Sequence, residues 1–339
     1  MNAPDDPEAA ARLLDRSDGD TLDPFILRRD KRRMYSNDRR AAVGFRRVQR
    51  VGLAAGDPVG DPAAFDGSVR NFLRRCEQAG LRPAVVGARE NTREIYERYG
   101  LRAMYIGDEA IIDVELFNLD GRRMRNVRQA FNRTVHTKVT IEFHREGELD
   151  SQLRDQLLAV ADPRHAPPHE LGFSMAMGGL FAGEFPDCLV VVARDSNLCP
   201  VAFQRYVFSC RGVVLSLDSM YRTPHAPNGV NERIIVETVA WARQRGATTV
   251  SLNFAPFRKV FEDGAQTARP WLLRGLEGGL GVRMDTLRRF NAKFAPRWVP
   301  RYLVYRNRRD LPAIGLAALS AEGFLPFDAA RDKVPTLHS

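Results

Sequence analysis

The chain has 339 residues, 44% hydrophobic and 27% charged, which is long enough for two domains with separate cores and has the balance of a globular protein. Its 51 Lys and Arg against 42 Asp and Glu leave a net charge of +9, a field that suits polyanions such as RNA or an anionic bilayer surface. The longest uncharged run, residues 171–183, falls short of the roughly 20 apolar residues that span a bilayer, so no transmembrane helix is encoded in these residues.

The N-terminus carries Asp5, Asp6 and Glu8 where a secretory signal would be basic and then apolar, so a cytoplasmic location is expected. Residues 1–20 read as a loose tail. Alternation over residues 48–53 predicts a strand, followed by a turn at 56–61 and a helix at 67–79 that stops at Gly80. A strand at 83–86, a helix at 91–98 stopped by Gly100, and an extended stretch over 102–114 complete a first unit, residues 21–120.

Residues 121–140 contain no acid but hold Arg122, Arg123, Arg125, Arg128 and Arg133. As a helix they stack Met124, Val127, Phe131 and Val135 in one stripe and predict a basic amphipathic helix linking two units. Strands at 189–193 and 201–208 precede a stretch at 212–220, an irregular loop at 222–231, a helix ending at Gly246 and a strand at 249–254. Residues 52–88 align on 213–255, an internal repeat offset by about 160 positions, so residues 141–310 read as a second copy of one α/β unit and 311–339 as a tail.

Residues 283–309 hold nine Arg or Lys against one acid, Asp285, with Phe290, Phe294, Trp298 and Tyr302 at near-helical spacing. The cations suit an anionic ligand, whereas aromatics at that spacing are more often core. Other constellations are weak. His165 and His169 have helical ligand spacing, but Pro163, Pro167 and Pro168 forbid a regular helix there, so no metal is expected. Gly275, Gly278, Gly279 and Gly281 lack the strand and helix of a nucleotide cradle, and Ser174 and Ser219 lack a triad pattern. Cys76, Cys188, Cys199 and Cys210 form no Cys-x-x-Cys pair and read as reduced thiols.

Six motifs in order carry a family resemblance: Gly-Asp-Pro-Val-Gly-Asp at 56–61, Gly-Asp-Glu-Ala-Ile-Ile-Asp at 107–113, Glu-Leu-Gly-Phe-Ser at 170–174, Ser-Leu-Asp-Ser-Met at 216–220, Pro-Asn-Gly at 227–229 and the basic-aromatic block at 287–305. Together they resemble the catalytic domain of the phosphatidylglycerol lysyltransferases, which move an aminoacyl group from charged tRNA onto a membrane lipid. Most of that family places a membrane-spanning region ahead of this domain. Residues 95–102 resemble the last helix and turn of Gcn5-related N-acetyltransferase (GNAT) folds. The resemblance implies an α/β fold of two tandem acetyltransferase-like units, mixed sheets flanked by helices.

An acetyltransferase cradles coenzyme A pyrophosphate with backbone N–H groups at a helix N-terminus. Here the corresponding loop, 222–231, puts Pro224 and Pro227 where donors are needed, and proline has no N–H. The first copy carries Asp57 and Asp61, which repel pyrophosphate. These features argue against acetyl-CoA as donor. Ester-to-ester transfer from aminoacyl-tRNA to a lipid hydroxyl needs no redox cofactor or metal, only positioning, oxyanion stabilisation and proton removal.

The resemblance then implies roles residue by residue. Asp218 would fix the α-ammonium of the aminoacyl group, its plain alternative being a loop cap. Arg222 is a weaker transfer, because the family has Arg three residues after this Asp and this chain has Tyr221 there. Lys293 matches a family lysine and joins Asp218 and Arg222 as catalytic candidates. Glu232, Asn253, Arg289 and Arg301 are substrate-binding candidates, although Glu232 also suits a helix dipole. Arg122, Arg125 and Arg128 are tRNA-binding candidates. The partners implied are aminoacyl-tRNA and anionic phospholipid at the inner face of the cell membrane. The alternatives are transfer to a soluble or peptide acceptor, as in peptidoglycan-bridge transferases, or non-catalytic binding to tRNA or a membrane surface.

Overall fold

The computed structural model describes residues 7–162, 174, 176–256 and 279–323, which divide into two compact units. The first comprises residues 1–106, 169–178 and 300–339; the second comprises 107–168 and 179–299.

In the first unit, β1 (Arg32–Tyr35), β2 (Ala41–Val48) and β3 (Val51–Ala55) form an antiparallel run, and β4 (Val59–Gly60) pairs β2. The single strand expected across 48–53 is instead a tight hairpin: Val48 faces Val51, and Gln49 takes φ 53°. The alternation in the sequence runs straight through a two-residue turn that lacks the usual glycine. From β3 the chain crosses through α2 (Phe65–Gln78) to β5 (Arg82–Ala88), which pairs β3 in parallel. Helix α2 buries Val69, Phe72, Leu73 and Cys76, the i, i+3, i+4, i+7 stripe, and stops where Gly80 adopts φ 62°.

Helix α3 (Arg93–Glu97) leads into β6 (Arg102–Asp113), whose first five residues belong to this unit; β12 (Arg297–Tyr305) pairs β5 antiparallel. The sheet is buried on both faces. Val43, Phe45, Val85 and Val304 pack with α2 on one side, while Val51, Leu53, Ala84 and Leu303 pack against α8 (Leu311–Ala321) on the other.

The described residues of both expected tails include a docked helix. Helix α1 (Pro7–Leu14) buries Ala10 and Leu13 against Ile26, Ala42 and Val59, and α8 docks through Ile314, Ala317 and Ala321. Each large aliphatic side chain so buried contributes roughly 1.5–3 kcal/mol, ample to hold a short helix down.

The second unit repeats the crossover. Strand β10 (Val214–Arg222) passes through α6 (Val230–Gln244) to β11 (Thr249–Pro256), parallel to β10. Around this pair the order is β6, β11, β10, β9 (Pro200–Ser209), β8 (Leu189–Arg194) and β7 (Thr140–Arg145). Strand β8 shows the two-faced burial directly. Leu189, Val191 and Ala193 join α4 (Arg125–His136) and α6, whereas Val190 and Val192 join α5 (Ser151–Val160).

The basic helix is shorter than the expected 121–140 and is no free linker. It begins at Arg125 and packs inside the second unit through Met124, Val127, Ala130 and Thr134, while Val135, placed in the stripe from the sequence, is 47% exposed. The fold class is nevertheless the expected α/β one, two units of mixed sheet flanked by helices, each built around a parallel strand pair joined through a helix. No helix among the described residues is long and apolar enough to cross a membrane.

Candidate functional site

Strands β10 and β11 pair at Val214–Thr249, Leu215–Val250 and Ser216–Ser251, and then their ladder stops although both strands continue. A parallel pair that parts in this way exposes backbone groups that must find other partners. The Asn253 side chain donates to the Leu217 carbonyl at 3.2 Å, and Asn291, fully buried at the end of α7 (Gly279–Ala292), donates to the Leu252 carbonyl at 3.2 Å. Both strands bulge at the same level. The β9–β10 register shifts between Leu217 and Ser219, and the β6–β11 register shifts between Ser251 and Phe254, where Asn253 takes φ 80°. Asn253 is thus a brace for the parting strands, its amide oxygen accepting from the Phe254 N–H at 2.9 Å.

The β10 bulge decides which way the catalytic candidates face. Asp218 and Ser219 together oppose Arg205, so Asp218 turns toward Arg205, and Arg205 Nε donates to its carboxylate at 2.5 Å with both side chains buried. Arg205 also reaches Glu146 at 3.2 Å and the Gly179 carbonyl at 3.2 Å. Burial pushes the Glu146 carboxyl up, with Arg205 pulling it back. Tyr221 faces the same side and stacks on Phe203 at 5.2 Å between centroids. Met220 and Arg222 face the other way, into a cavity of about 450 Å³. Asp218 and Arg222 therefore lie on opposite faces, and the cavity does not include Asp218.

This cavity is lined by Met220 and Arg222 of β10, Asn228 to Glu232 at the start of α6, and Thr286, Leu287, Phe290 and Lys293 from α7 and the turn after it. Gly229 is the N-cap of α6 at φ 101°, and a Cβ there would meet Ala130 of α4 at 2.8 Å, so glycine alone lets α6 begin against α4. Lys293 Nζ bonds Glu232 Oε1 at 2.8 Å and lies 5.2 Å from the centre of the Phe290 ring. Glu232 sits in the first turn of α6, where a carboxylate is also favoured by the helix dipole. The Asn231 amide oxygen is buried here without a hydrogen-bond partner. A carboxylate, two cations and a ring in a space of small-molecule size can take a ligand that carries both an ammonium and an anionic group.

The structure brings together Arg222, Glu232 and Lys293 and leaves the other candidates elsewhere. Arg289 is exposed on α7 and does not line the cavity. Arg301 lies in the first unit, 2% exposed, donating to Asp20 at 2.5 and 3.0 Å, to Thr21 at 2.9 Å and to the Gly87 carbonyl at 3.1 Å; it is an internal brace and no substrate ligand. Arg122 and Arg125 are exposed at the head of α4, but Arg128 is half-buried and caps the Leu119 and Gly121 carbonyls.

In the first unit Asp57, read from the sequence as an acid repelling phosphate, is buried and bonded to Arg89 at 2.9 Å and Thr92 at 2.6 Å. His165, His169 and Glu170 lie outside the described residues. Sequence reasoning missed Arg205, Glu146, Asn231 and Asn291; a buried-strand arginine flanked by Gln204 and Tyr206 was the available signal for the first.

A family model described as phosphatidylglycerol lysyltransferase, C-terminal, matches residues 11–305. The lysylphosphatidylglycerol biosynthesis bifunctional protein LysX of Mycolicibacterium gilvum is 39% identical over 327 residues, covering 94% of this chain and 30% of the relative. The chain thus spans about 30% of the length of that relative. Among solved structures, L-PGS from Bacillus licheniformis superposes with a TM-score of 0.81 at 24% identity, covering 96% of this chain and 99% of that one. The C-terminal domain of a candidate lysylphosphatidylglycerol synthetase from Agrobacterium fabrum gives 0.79 at 25% identity, covering 95% and 98%.

Proposed function

The chain belongs to the phosphatidylglycerol lysyltransferase C-terminal family, and from that premise we propose that it transfers an aminoacyl group, lysine by family resemblance, from aminoacyl-tRNA to a hydroxyl of phosphatidylglycerol. The observation that carries this reading is the cavity at the start of α6, where Pro224 and Pro227 replace phosphate-cradling donors and Glu232 and Lys293 stand as an ion pair.

In the reaction the lipid hydroxyl oxygen attacks the ester carbonyl carbon, its proton leaves, and the tetrahedral centre collapses with the tRNA 3′ oxygen departing and taking a proton. One ester replaces another, so positioning and charge stabilisation are the protein's share. Glu232 receives the ammonium of the aminoacyl group, releasing Lys293 to meet a phosphate, and Arg222 adds a second cation. Asp218 acts at one remove: by fixing Arg205 it keeps β10 bulged, so that Met220 and Arg222 face the cavity. Arg122 and Arg125 contact the tRNA backbone.

The test gives the purified protein mixed charged tRNAs with phosphatidylglycerol vesicles and identifies products by mass spectrometry. Aminoacylated lipid is the expected result. tRNA deacylation only with an added soluble acceptor would replace the lipid by that acceptor, and salt-sensitive tRNA binding with no turnover would leave a binding protein. Glu232→Gln and Lys293→Met should each lower kcat/KM at least tenfold, corresponding to about 1.4 kcal/mol of lost transition-state binding.

A further inference from the structure

A second feature lies in the first unit, in the part of the basic block that the cavity at α6 does not use. Arg306, Asn307, Arg308, Arg309 and Asp310 link β12 to α8 and, with Arg102, line a cavity of about 500 Å³. All four arginines are exposed. The one acid, Asp310, is already held by Arg82 at 2.8 Å, and among the described residues none of the four arginines has an ion-pair partner. Among the described residues, these four guanidinium groups therefore have no ion-pair counterpart.

Helix α8 continues directly from this cluster, and its composition is unusual for a surface element. Leu311–Ala321 contains no charged residue and a single polar one, Ser320. Ile314, Ala317 and Ala321 account for its buried side. Its other side carries Pro312 and Leu316, the latter 55% exposed, where a surface helix would normally place charges. At 1.5 Å per residue, Leu316 stands roughly 10 Å along the helix from Asp310.

We propose that this face is a docking surface for an anionic lipid bilayer: Arg102, Arg306, Arg308 and Arg309 meet lipid phosphates while Pro312 and Leu316 enter the acyl boundary. The argument is one of complementarity. A bilayer surface presents negative charge immediately above hydrocarbon, and a guanidinium cluster beside an uncharged helix face matches both layers. An RNA would satisfy the arginines but gives no use for the uncharged face. Neither signal holds a protein on a membrane firmly by itself, and here the two are contiguous. The inference deepens the lipid-acceptor reading by naming where the bilayer is met, and its test reads binding and not turnover, so either can fail while the other stands.

The full chain is sedimented with vesicles of phosphatidylcholine containing about a third phosphatidylglycerol, and with pure phosphatidylcholine vesicles. The expected result is binding to the first only, weakened by salt, and reduced at least tenfold both by the combined Arg306→Glu, Arg308→Glu, Arg309→Glu substitution and by Leu316→Glu. Leu316→Ser, which adds no charge, should weaken binding less, and all variants should melt within a degree or two of the parent because the residues are exposed. Variants that sediment like the parent would overturn the proposal. So would loss of tRNA binding with vesicle binding intact, which would make the surface an RNA site, or vesicle binding that emerges only after residues 324–339 are removed, which would make that segment the occupant.

Discussion

Arg205 and Asp218 face each other at 2.5 Å from neighbouring strands, each side chain 1% exposed or less, at the point where β10 carries one residue more than its partner. The pair connects the interior of the second unit to the shape of the cavity at α6. Removing one member of a buried ion pair strands the other charge, at a cost of about 3–5 kcal/mol. Asp218→Asn should therefore lower the urea midpoint with little change in m. An unmoved midpoint would show that Glu146 alone suffices for Arg205, and any loss of transfer in that variant has to be read beside its stability.

Asp20 and Asp23 titrate in opposite directions in the first unit. Burial and the neighbouring Asp20 carboxylate hold Asp23 well above the usual range. Burial also acts to raise Asp20, but Arg301 and Arg89 outweigh it and bring it to about 2. Folded Asp23 thus keeps a proton that the unfolded chain gives up above about pH 4, so its contribution to stability is complete below that pH and declines as pH rises toward the folded value. Asp20 behaves in reverse: its contribution is present above about pH 4 and is lost as pH falls toward 2. Asp23→Asn should accordingly raise the thermal midpoint over the parent by an amount that grows from about pH 4 toward neutrality. A pH-independent difference would remove Asp23 as the titrating group.

Two glycines test how closely α6 approaches α4. Gly246 takes φ 76° and a Cβ there would have nothing within 4 Å, whereas Gly229 takes φ 101° with Ala130 at 2.8 Å. Gly246→Ala should cost about 1 kcal/mol, for the left-handed backbone alone. Gly229→Ala should cost at least about 1 kcal/mol more, for strain and overpacking together. Equal costs in denaturant titrations would mean that α6 slides freely away from α4.

The arginines at the head of α4 should separate by function. Arg122→Glu with Arg125→Glu is expected to weaken tRNA binding and flatten its dependence on salt, leaving the melting temperature unchanged. Arg128→Glu should instead lower the melting temperature, because that side chain caps the Leu119 and Gly121 carbonyls. If the double variant binds tRNA as the parent does, the helix is scaffold only.

Most repeating elements are legible in the sequence because their hydrophobic period matches their burial. Residues 67–79 show the helical stripe and the Gly80 stop that α2 realises, and β8 reads as a continuous apolar run because both of its faces are covered. The failures have local causes. The β2–β3 hairpin is invisible because Gln49 takes a positive φ without being glycine. Phe290, Phe294, Trp298 and Tyr302 continue a helical spacing past the end of α7, but Pro296 and a left-handed Ala295 turn the chain into β12. At the site, Glu232 and Lys293 stand out because each carries a charge near a recognisable motif. Arg205 and Asn291 do not, since their roles come from tertiary partners at a bulge and at parting strands that no one-dimensional pattern encodes.

The extra residue in β10 gives the second half of that strand something like a reading frame. Pairing the same residues without the bulge would exchange the destinations of everything downstream: the ring of Tyr221 would be delivered to the cavity and the guanidinium of Arg222 to the apolar layer beneath α5, whereas deleting Asp218 would keep Tyr221 opposite Phe203 and Arg222 opposite Ala202. The composition of the cavity is therefore set by strand register as well as by residue identity, and a change that flattens the bulge at constant length would exchange the residues on that wall together, where a substitution exchanges one.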